Sequence, residues 1–153
     1  MRLINVLTIL VVVLLFFRYT YKIKEIVRVV DGDTVDVTID LGFDLTKLER
    51  VRLAGIDTPE SRTKDLAEKH MGYEAKAYLT ELLYAADDLI VKTEKDGKFG
   101  RMLGEFFSNK FAVSYSINQQ LIDEGYAWKY EGGSKKKDLQ ELIDRRKKYV
   151  KIS

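Results

Sequence analysis

Three short stretches of this 153-residue chain carry side chains able to do chemistry together. Arg52-Leu53-Ala54-Gly55-Ile56-Asp57-Thr58-Pro59-Glu60 runs off an apolar segment and presents an arginine, an aspartate and a glutamate in close succession. A second acidic turn, Asp31-Gly32-Asp33-Thr34, lies upstream, and Arg101 follows Lys98-Phe99-Gly100 downstream. These are the residue types that hydrolysis of a phosphodiester needs. Oxygen ligands on a divalent cation neutralise the anionic substrate and part of the charge that builds on its oxygens. Guanidinium groups stabilise the rest by forking two hydrogen bonds onto phosphate oxygens. A carboxylate near the metal takes a proton from the attacking water. Asp33 and Asp57 are the candidate metal ligands, with the Thr58 carbonyl as a third donor. Arg52 and Arg101 are the candidate phosphate clamps, and Glu60 is the candidate base. On residue types alone the pattern is weakly specific. Asp-Thr-Pro-Glu is also an ordinary turn and helix-start sequence, and most arginines lie on surfaces.

Composition narrows the chemistry. The length suggests one domain, and 46% hydrophobic with 33% charged residues fits a globular body. The absence of cysteine excludes disulfides, thiolate metal sites and cysteine nucleophiles, and one histidine excludes a multi-histidine site. A metal would be held by oxygens, which favours calcium or magnesium. The net charge of +2 does not by itself imply a nucleic-acid partner.

The elements that must position these residues follow from periodicity. Tyr21 to Val30 is rich in β-branched residues and reads as a strand, ended by a turn or bulge at Asp31-Gly32. Val35, Val37, Ile39 and Leu41 alternate with polar residues, as in a half-buried strand. Asp33 shares their parity, so its carboxylate either points toward the apolar face at the strand end, where a cation would offset the cost of burial, or caps a turn. Gly42 to Lys47 reads as a longer hairpin connection, Leu48 to Ile56 as a strand and Ser61 to His70 as a surface loop. Gly72 to Ala86 reads as a helix, with Ala75, Tyr78, Leu79, Leu82 and Leu83 on one face. Short strands follow at Leu89–Thr93, Met102–Phe107 and Phe111–Val113, with a charged turn at Glu94–Gly100. A brief helix spans Ser116 to Glu124, capped by Ser116 and stopped by Gly125. Lys135 to Lys148 reads as the last helix. The fold class expected is mainly β or α+β, a small barrel with helices packed on it.

The three motif blocks, in order, resemble the thermonuclease, or staphylococcal-nuclease-like, family. Val29-Val30-Asp31-Gly32-Asp33-Thr34-Val35 is similar to its first signature, Arg52 to Glu60 to its second and Lys98-Phe99-Gly100-Arg101 to its third. Gly72-Tyr73-Glu74-Ala75 and Leu121 to Ala127 also fit, so the resemblance covers residues 21–153. It implies a five-stranded OB-type barrel with three helices, and calcium-dependent cleavage of DNA and RNA leaving 3′-phosphate ends. By position it assigns calcium to Asp33, Asp57 and the Thr58 carbonyl, the scissile phosphate to Arg52 and Arg101, general base or water orientation to Glu60, and a nucleotide contact to Lys98. Phe99 stands where the family's well-known member has tyrosine. The nucleotide-contacting tyrosines do not align cleanly, and Tyr130 is the best remaining candidate for a base or phosphate contact. The enzyme is expected to act as a monomer. The alternative is a non-catalytic OB-type module that binds nucleic acid or protein.

Residues 1–20 are read as a hydrophobic signal-anchor helix. Leu3 to Phe17 is apolar except for Asn5 and Thr8. As a helix this run reaches about 22 Å, short of the ~30 Å hydrocarbon core, and no small-residue cleavage site follows it. An uncleaved anchor extended by Arg18, Tyr19 and Tyr21 is one reading, and a buried core helix is the other. Flanking charge favours a cytoplasmic body, the nuclease resemblance favours a membrane-anchored or secreted one, and a true start inside the segment would leave the protein cytoplasmic. His70 is read as a solvated histidine and Trp128 as core rather than a base-stacking platform. The Lys135-Lys136-Lys137 and Arg145-Arg146-Lys147-Lys148 runs are read as the solvated face of the last helix, or as a track for a nucleic-acid backbone.

Overall fold

The computed structural model describes residues 19–94, 102–110, 113–135 and 137–151. Three long strands meander first: β1 (Thr20–Asp31), β2 (Thr34–Gly42) and β3 (Leu45–Leu53). β4 (Ile56–Asp57) is a short spur, followed by helix α1 (Leu66–Tyr84). Then come β5 (Ile90–Glu94), β6 (Met102–Lys110) and β7 (Val113–Ser116). Helix α2 (Ile117–Asp123), β8 (Trp128–Lys129) and helix α3 (Leu139–Val150) complete the chain. β1 pairs antiparallel with β2 and β5, and β5 with β6. A parallel pairing of β3 with β6, from Val51↔Met102 to Leu53↔Gly104, closes the ring. The result is the expected five-stranded barrel with three helices.

The alternation along β2 is what makes the barrel interior. Val35, Val37 and Ile39 are buried while Asp36, Thr38 and Asp40 lie between them on the other face. Val51, Leu53, Val91 and Phe106 fill the interior from the facing strands, and Leu79 and Leu83 of α1 cover it. Full burial of side chains of this size stabilises by about 1.5–3 kcal/mol each. A second cluster forms around Met71, Trp128 and Leu142, which docks α3 beneath β8. Trp128 is therefore core, and its indole N–H donates to the Asp138 carbonyl at 3.1 Å.

Several boundaries differ from the sequence reading. β1 starts at Thr20, paired with Lys92, so Thr20 and Tyr21 belong to the barrel rather than to an anchor. The hydrophobic helix expected before them lies outside the described residues; among the described residues no helix is long and apolar enough to cross a membrane. The β2–β3 connection is a tight turn at Phe43-Asp44, both at positive φ (53° and 60°), with Gly42 N–H donating to the Asp40 side chain at 2.8 Å. Such φ values match the twist of paired strands but are unusual for phenylalanine, which is why the turn reads poorly from residue types. β3 stops at Leu53 because Gly55 turns the chain at φ 76°. α1 starts at Leu66, earlier than expected. Asp65 caps it by accepting from Ala67 N and Glu68 N, and its first turns are too charged to show an apolar face. α3 starts at Leu139, not Lys135, with Asp138 as its cap.

Candidate metal and phosphate site

The site sits at one end of the barrel, where β2 begins and β3 ends. Thr34 pairs with Arg52, and Leu53 N–H donates to the Asp33 carbonyl at 2.8 Å. Adjacent strands thus deliver Asp33 and Arg52 to the same rim. The Arg52 guanidinium lies between two carboxylates. Its Nη1 pairs with Asp33, and its Nη2 donates to Asp57 Oδ1 at 3.1 Å and to the Ile56 carbonyl at 3.4 Å. Thr34 Oγ1 donates to Asp33 at 2.9 Å. The Arg52, Asp33 and Asp57 side chains are only 15%, 14% and 5% exposed, so these charges interact with little screening. The Nη1–Asp33 contact is a buried ion pair.

The backbone around this triad is pinned from beneath. Asn118 of α2 is buried, donates to the carbonyls of Ala54 at 2.9 Å and Gly104 at 3.1 Å, and accepts from Phe106 N at 3.1 Å. It joins the end of β3 to β6 and α2. The segment carrying Pro59 to Ser61 crosses α1 at Gly72. A Cβ there would stand 2.7 Å from Ser61 N and 2.8 Å from the Pro59 carbonyl oxygen. Only glycine lets the strand of chain bearing Glu60 lie so close to the helix. Ser61 Oγ in turn donates to Asp31 Oδ1 at 2.9 Å, tying the two acidic turns together.

Glu60 is half exposed, and a lysine from far along the chain reaches it. Lys135 Nζ lies 2.9 Å from Asp57 Oδ1 and 3.3 Å from Glu60 Oε1. Partial burial pulls the Lys135 ammonium toward lower pKa, but the hydrogen bonds and charges of Asp57 and Glu60 outweigh it and raise the value. Beneath them, buried Glu68 pairs with Lys137 at 3.0 Å and accepts from Glu60 N at 3.4 Å. The β4–β8 pairing, Asp57↔Trp128, with Tyr130 N–H donating to the Gly55 carbonyl at 2.9 Å, carries residues 131–135 over the cleft. The sequence reading puts Lys135 in a helix; in the structure it is in a loop because Asp138 caps α3 after it. Arg145 and Arg146, read as a solvated face or a phosphate track, are structural. Arg145 Nη1 donates to the Ile122 carbonyl at 2.9 Å, and Arg146 Nε to the Gly125 carbonyl at 2.8 Å. His70 is solvated on α1, 3.4 Å from Glu74.

Sequence reasoning missed Asn118, Glu68, Asp31 with Ser61, and Lys135. The Asp31 and Lys135 positions carried a charge in a turn or a run, but no local pattern announces a long-range partner. Of the expected site residues, Asp33, Arg52 and Asp57 come together, Thr58 follows buried beside them, and Glu60 and Tyr130 line the same cleft. Tyr130 O–H donates to the Gly133 carbonyl at 3.2 Å. Lys98 and Arg101 lie outside the described residues.

The donor set suits a hard cation. All available ligands are oxygens, and an ammonium group already sits against Asp57 and Glu60, as a cation would. Among the described residues no three carboxylate or imidazole side chains form a ready-made cage. A cation here would therefore take Asp33, Asp57 and the Thr58 carbonyl from the chain and the rest from water and phosphate oxygens, an arrangement hard divalent ions accept. The cleft, of ≈ 1110 Å³, is open and lies at the upper end of small-molecule pockets, which run to about 1,000 Å³.

Residues 50–150 match the family model described as Staphylococcal nuclease homologue, a range that takes in Arg52, Asp57 and Glu60. The chain is 32% identical to the micrococcal nuclease of Shigella flexneri, over 76% of its own length and 63% of the relative's. It is 33% identical to the thermonuclease of Staphylococcus hyicus, over 71% and 57%. It is 31% identical to an uncharacterised protein of Methanocaldococcus jannaschii, over 84% and 69%. The chain thus spans less than two thirds of the length of the two relatives named as nucleases. With the barrel, the motif order and these matches in agreement, this chain belongs to the staphylococcal nuclease homologue family.

Proposed function

We propose that this protein is a calcium-dependent nuclease that hydrolyses phosphodiester bonds of DNA and RNA and leaves 3′-phosphate ends. The observation that carries the reading is Arg52 held between Asp33 and Asp57 at the rim of an open cleft. A guanidinium fixed in this place is suited to fork hydrogen bonds onto the oxygens of a phosphate bound in the cleft. The names of the Shigella and Staphylococcus relatives support the same activity.

In this reading Asp33, Asp57 and the Thr58 carbonyl hold calcium. When bound, calcium neutralises the phosphate and polarises a phosphoryl oxygen. Arg52 orients the phosphate and stabilises the charge that builds on its oxygens, joined by Arg101. Glu60 accepts a proton from the water that attacks phosphorus. The bond from phosphorus to the 5′-oxygen breaks, that oxygen takes up a proton, and the phosphate stays on the 3′ side. Lys98 and Tyr130 are assigned to the nucleotide. The nuclease domain runs from β1 onward, and it acts as a monomer. The residues before β1 serve as an anchor that places the domain at or beyond a membrane.

The test is digestion of single- and double-stranded DNA and of RNA by the purified chain, with product ends identified. Products with 3′-phosphate and 5′-hydroxyl ends are expected. Tight nucleic-acid binding without cleavage would replace this reading with that of a binding module.

A further inference from the structure

One oxygen of Asp57, a candidate metal ligand, is already held by two cations. Oδ1 receives Lys135 Nζ at 2.9 Å and Arg52 Nη2 at 3.1 Å, and Lys135 also reaches Glu60 at 3.3 Å. Calcium approaches its oxygen ligands to about 2.3–2.6 Å, so an ion on Asp57 Oδ1 would face the ammonium at close range. Calcium would be a third cation at this sheltered carboxylate, beside Arg52 and Lys135, and would be strongly repelled while both stay in place. Arg52 is built into β3 and packed between carboxylates. Lys135 is the cation that can leave, because it is 41% exposed and ends a flexible stem.

Resting on the nuclease reading, we propose that Lys135 is a tethered competitor of the metal: it holds Asp57 and Glu60 in the free protein and must be displaced for calcium to bind. The loop is built to allow this. It is fastened on one side by Tyr130 N to the Gly55 carbonyl at 2.9 Å, and on the other by Lys137 to Glu68 at 3.0 Å. Between them stand Gly132 and Gly133, at φ 99° and 91°, with open space around each. The fastenings keep the lysine over the cleft, and the glycines leave the backbone before it free to rotate. The competitor keeps the carboxylates paired without metal and sets a threshold calcium concentration for loading.

The test is calorimetric titration of the full chain with calcium chloride, without nucleic acid, for the wild type, Lys135→Ala, Lys135→Gln and Lys129→Ala. Lys129 also lines the cleft but pairs with Glu131, so it controls for the loss of one nearby charge. Lys135→Ala and Lys135→Gln are expected to bind calcium about five- to tenfold more tightly than the wild type, the scale of losing one partly exposed ion pair. Lys129→Ala should change affinity by less than about twofold, as a screened charge does. Equal or weaker binding in both Lys135 variants overturns the proposal while leaving the metal reading intact. Equal tightening by Lys129→Ala overturns direct displacement. Absence of calcium binding in every protein overturns the metal reading together with this one.

Discussion

Arg52 Nη2 lies 3.1 Å from Asp57 Oδ1, across the turn that Ala54 and Gly55 make at the end of β3. The same guanidinium holds Asp33 from the adjacent turn, so one side chain couples both acidic motifs. Removing it should affect chemistry and stability separately. Arg52→Ala is predicted to lower the cleavage rate by about 10²–10³-fold, the scale for losing one group that stabilises transition-state charge. Steady-state kinetics on DNA checks this. It should also lower the melting temperature of the metal-free protein, because sheltered Asp33 loses its cation and Asp57 keeps only Lys135. Calcium should restore part of that loss by re-pairing them, and melting curves with and without calcium measure it.

Gly72 tests how closely Glu60 depends on the helix behind it. Gly72→Ala puts a methyl group into the backbone at Pro59 to Ser61, where nothing flexible can yield. A destabilisation of about 1–3 kcal/mol is predicted, with a loss of cleavage rate from the displacement of Glu60. Urea unfolding and single-turnover kinetics give the two numbers.

Asn118 should matter for stability while touching nothing in the cleft chemistry. Asn118→Ala leaves the Ala54 carbonyl and Phe106 N–H without their present partner, while the Gly104 carbonyl keeps the Ala54 N–H at 2.8 Å. Each buried group left unsatisfied costs about 1–3 kcal/mol, so a total loss of several kcal/mol is predicted from urea unfolding. Asn118→Asp should also destabilise, since a carboxylate cannot donate to either carbonyl.

Tyr78 gives a pH signature. Burial, with a hydrogen bond to Glu124 and that carboxylate's charge, holds its hydroxyl protonated well above the ordinary tyrosine range. Because the folded value is raised, its contribution is fully present below the unfolded value of about 10 and is lost as pH rises toward the folded value. Stability should therefore fall above about pH 10, and less steeply in Tyr78→Phe. Urea midpoints across the alkaline range check both slopes.

What the sequence disclosed depended on how local the determinant was. The alternation of Val35, Val37 and Ile39 shows in β2 alone, and Ser116 and Gly125 mark the ends of α2 within a few residues. The start of α1 was hidden because Leu66 to His70 offers no apolar stripe, and its cap, Asp65, resembles any loop aspartate. The Asp33–Arg52–Asp57 cluster is implied by the family resemblance, since strand-end spacing alone leaves Asp33 open between a site carboxylate and a turn cap. Lys135 could not be anticipated, because its position depends on Trp128 and Leu142 docking α3 and on Tyr130 pairing with Gly55. These contacts join residues far apart in the chain and leave no periodic trace.

The central claim is that Asp33, Arg52, Asp57 and Glu60 form one calcium-dependent phosphodiesterase site. The most direct measurement is cleavage of DNA by the full chain and by Arg52→Ala, side by side, with calcium and with a calcium chelator. The prediction is rapid digestion by the wild type with calcium, none with chelator, and at least about 10²-fold slower digestion by Arg52→Ala. Undiminished cleavage in the presence of chelator, or near-wild-type activity in Arg52→Ala, would contradict it.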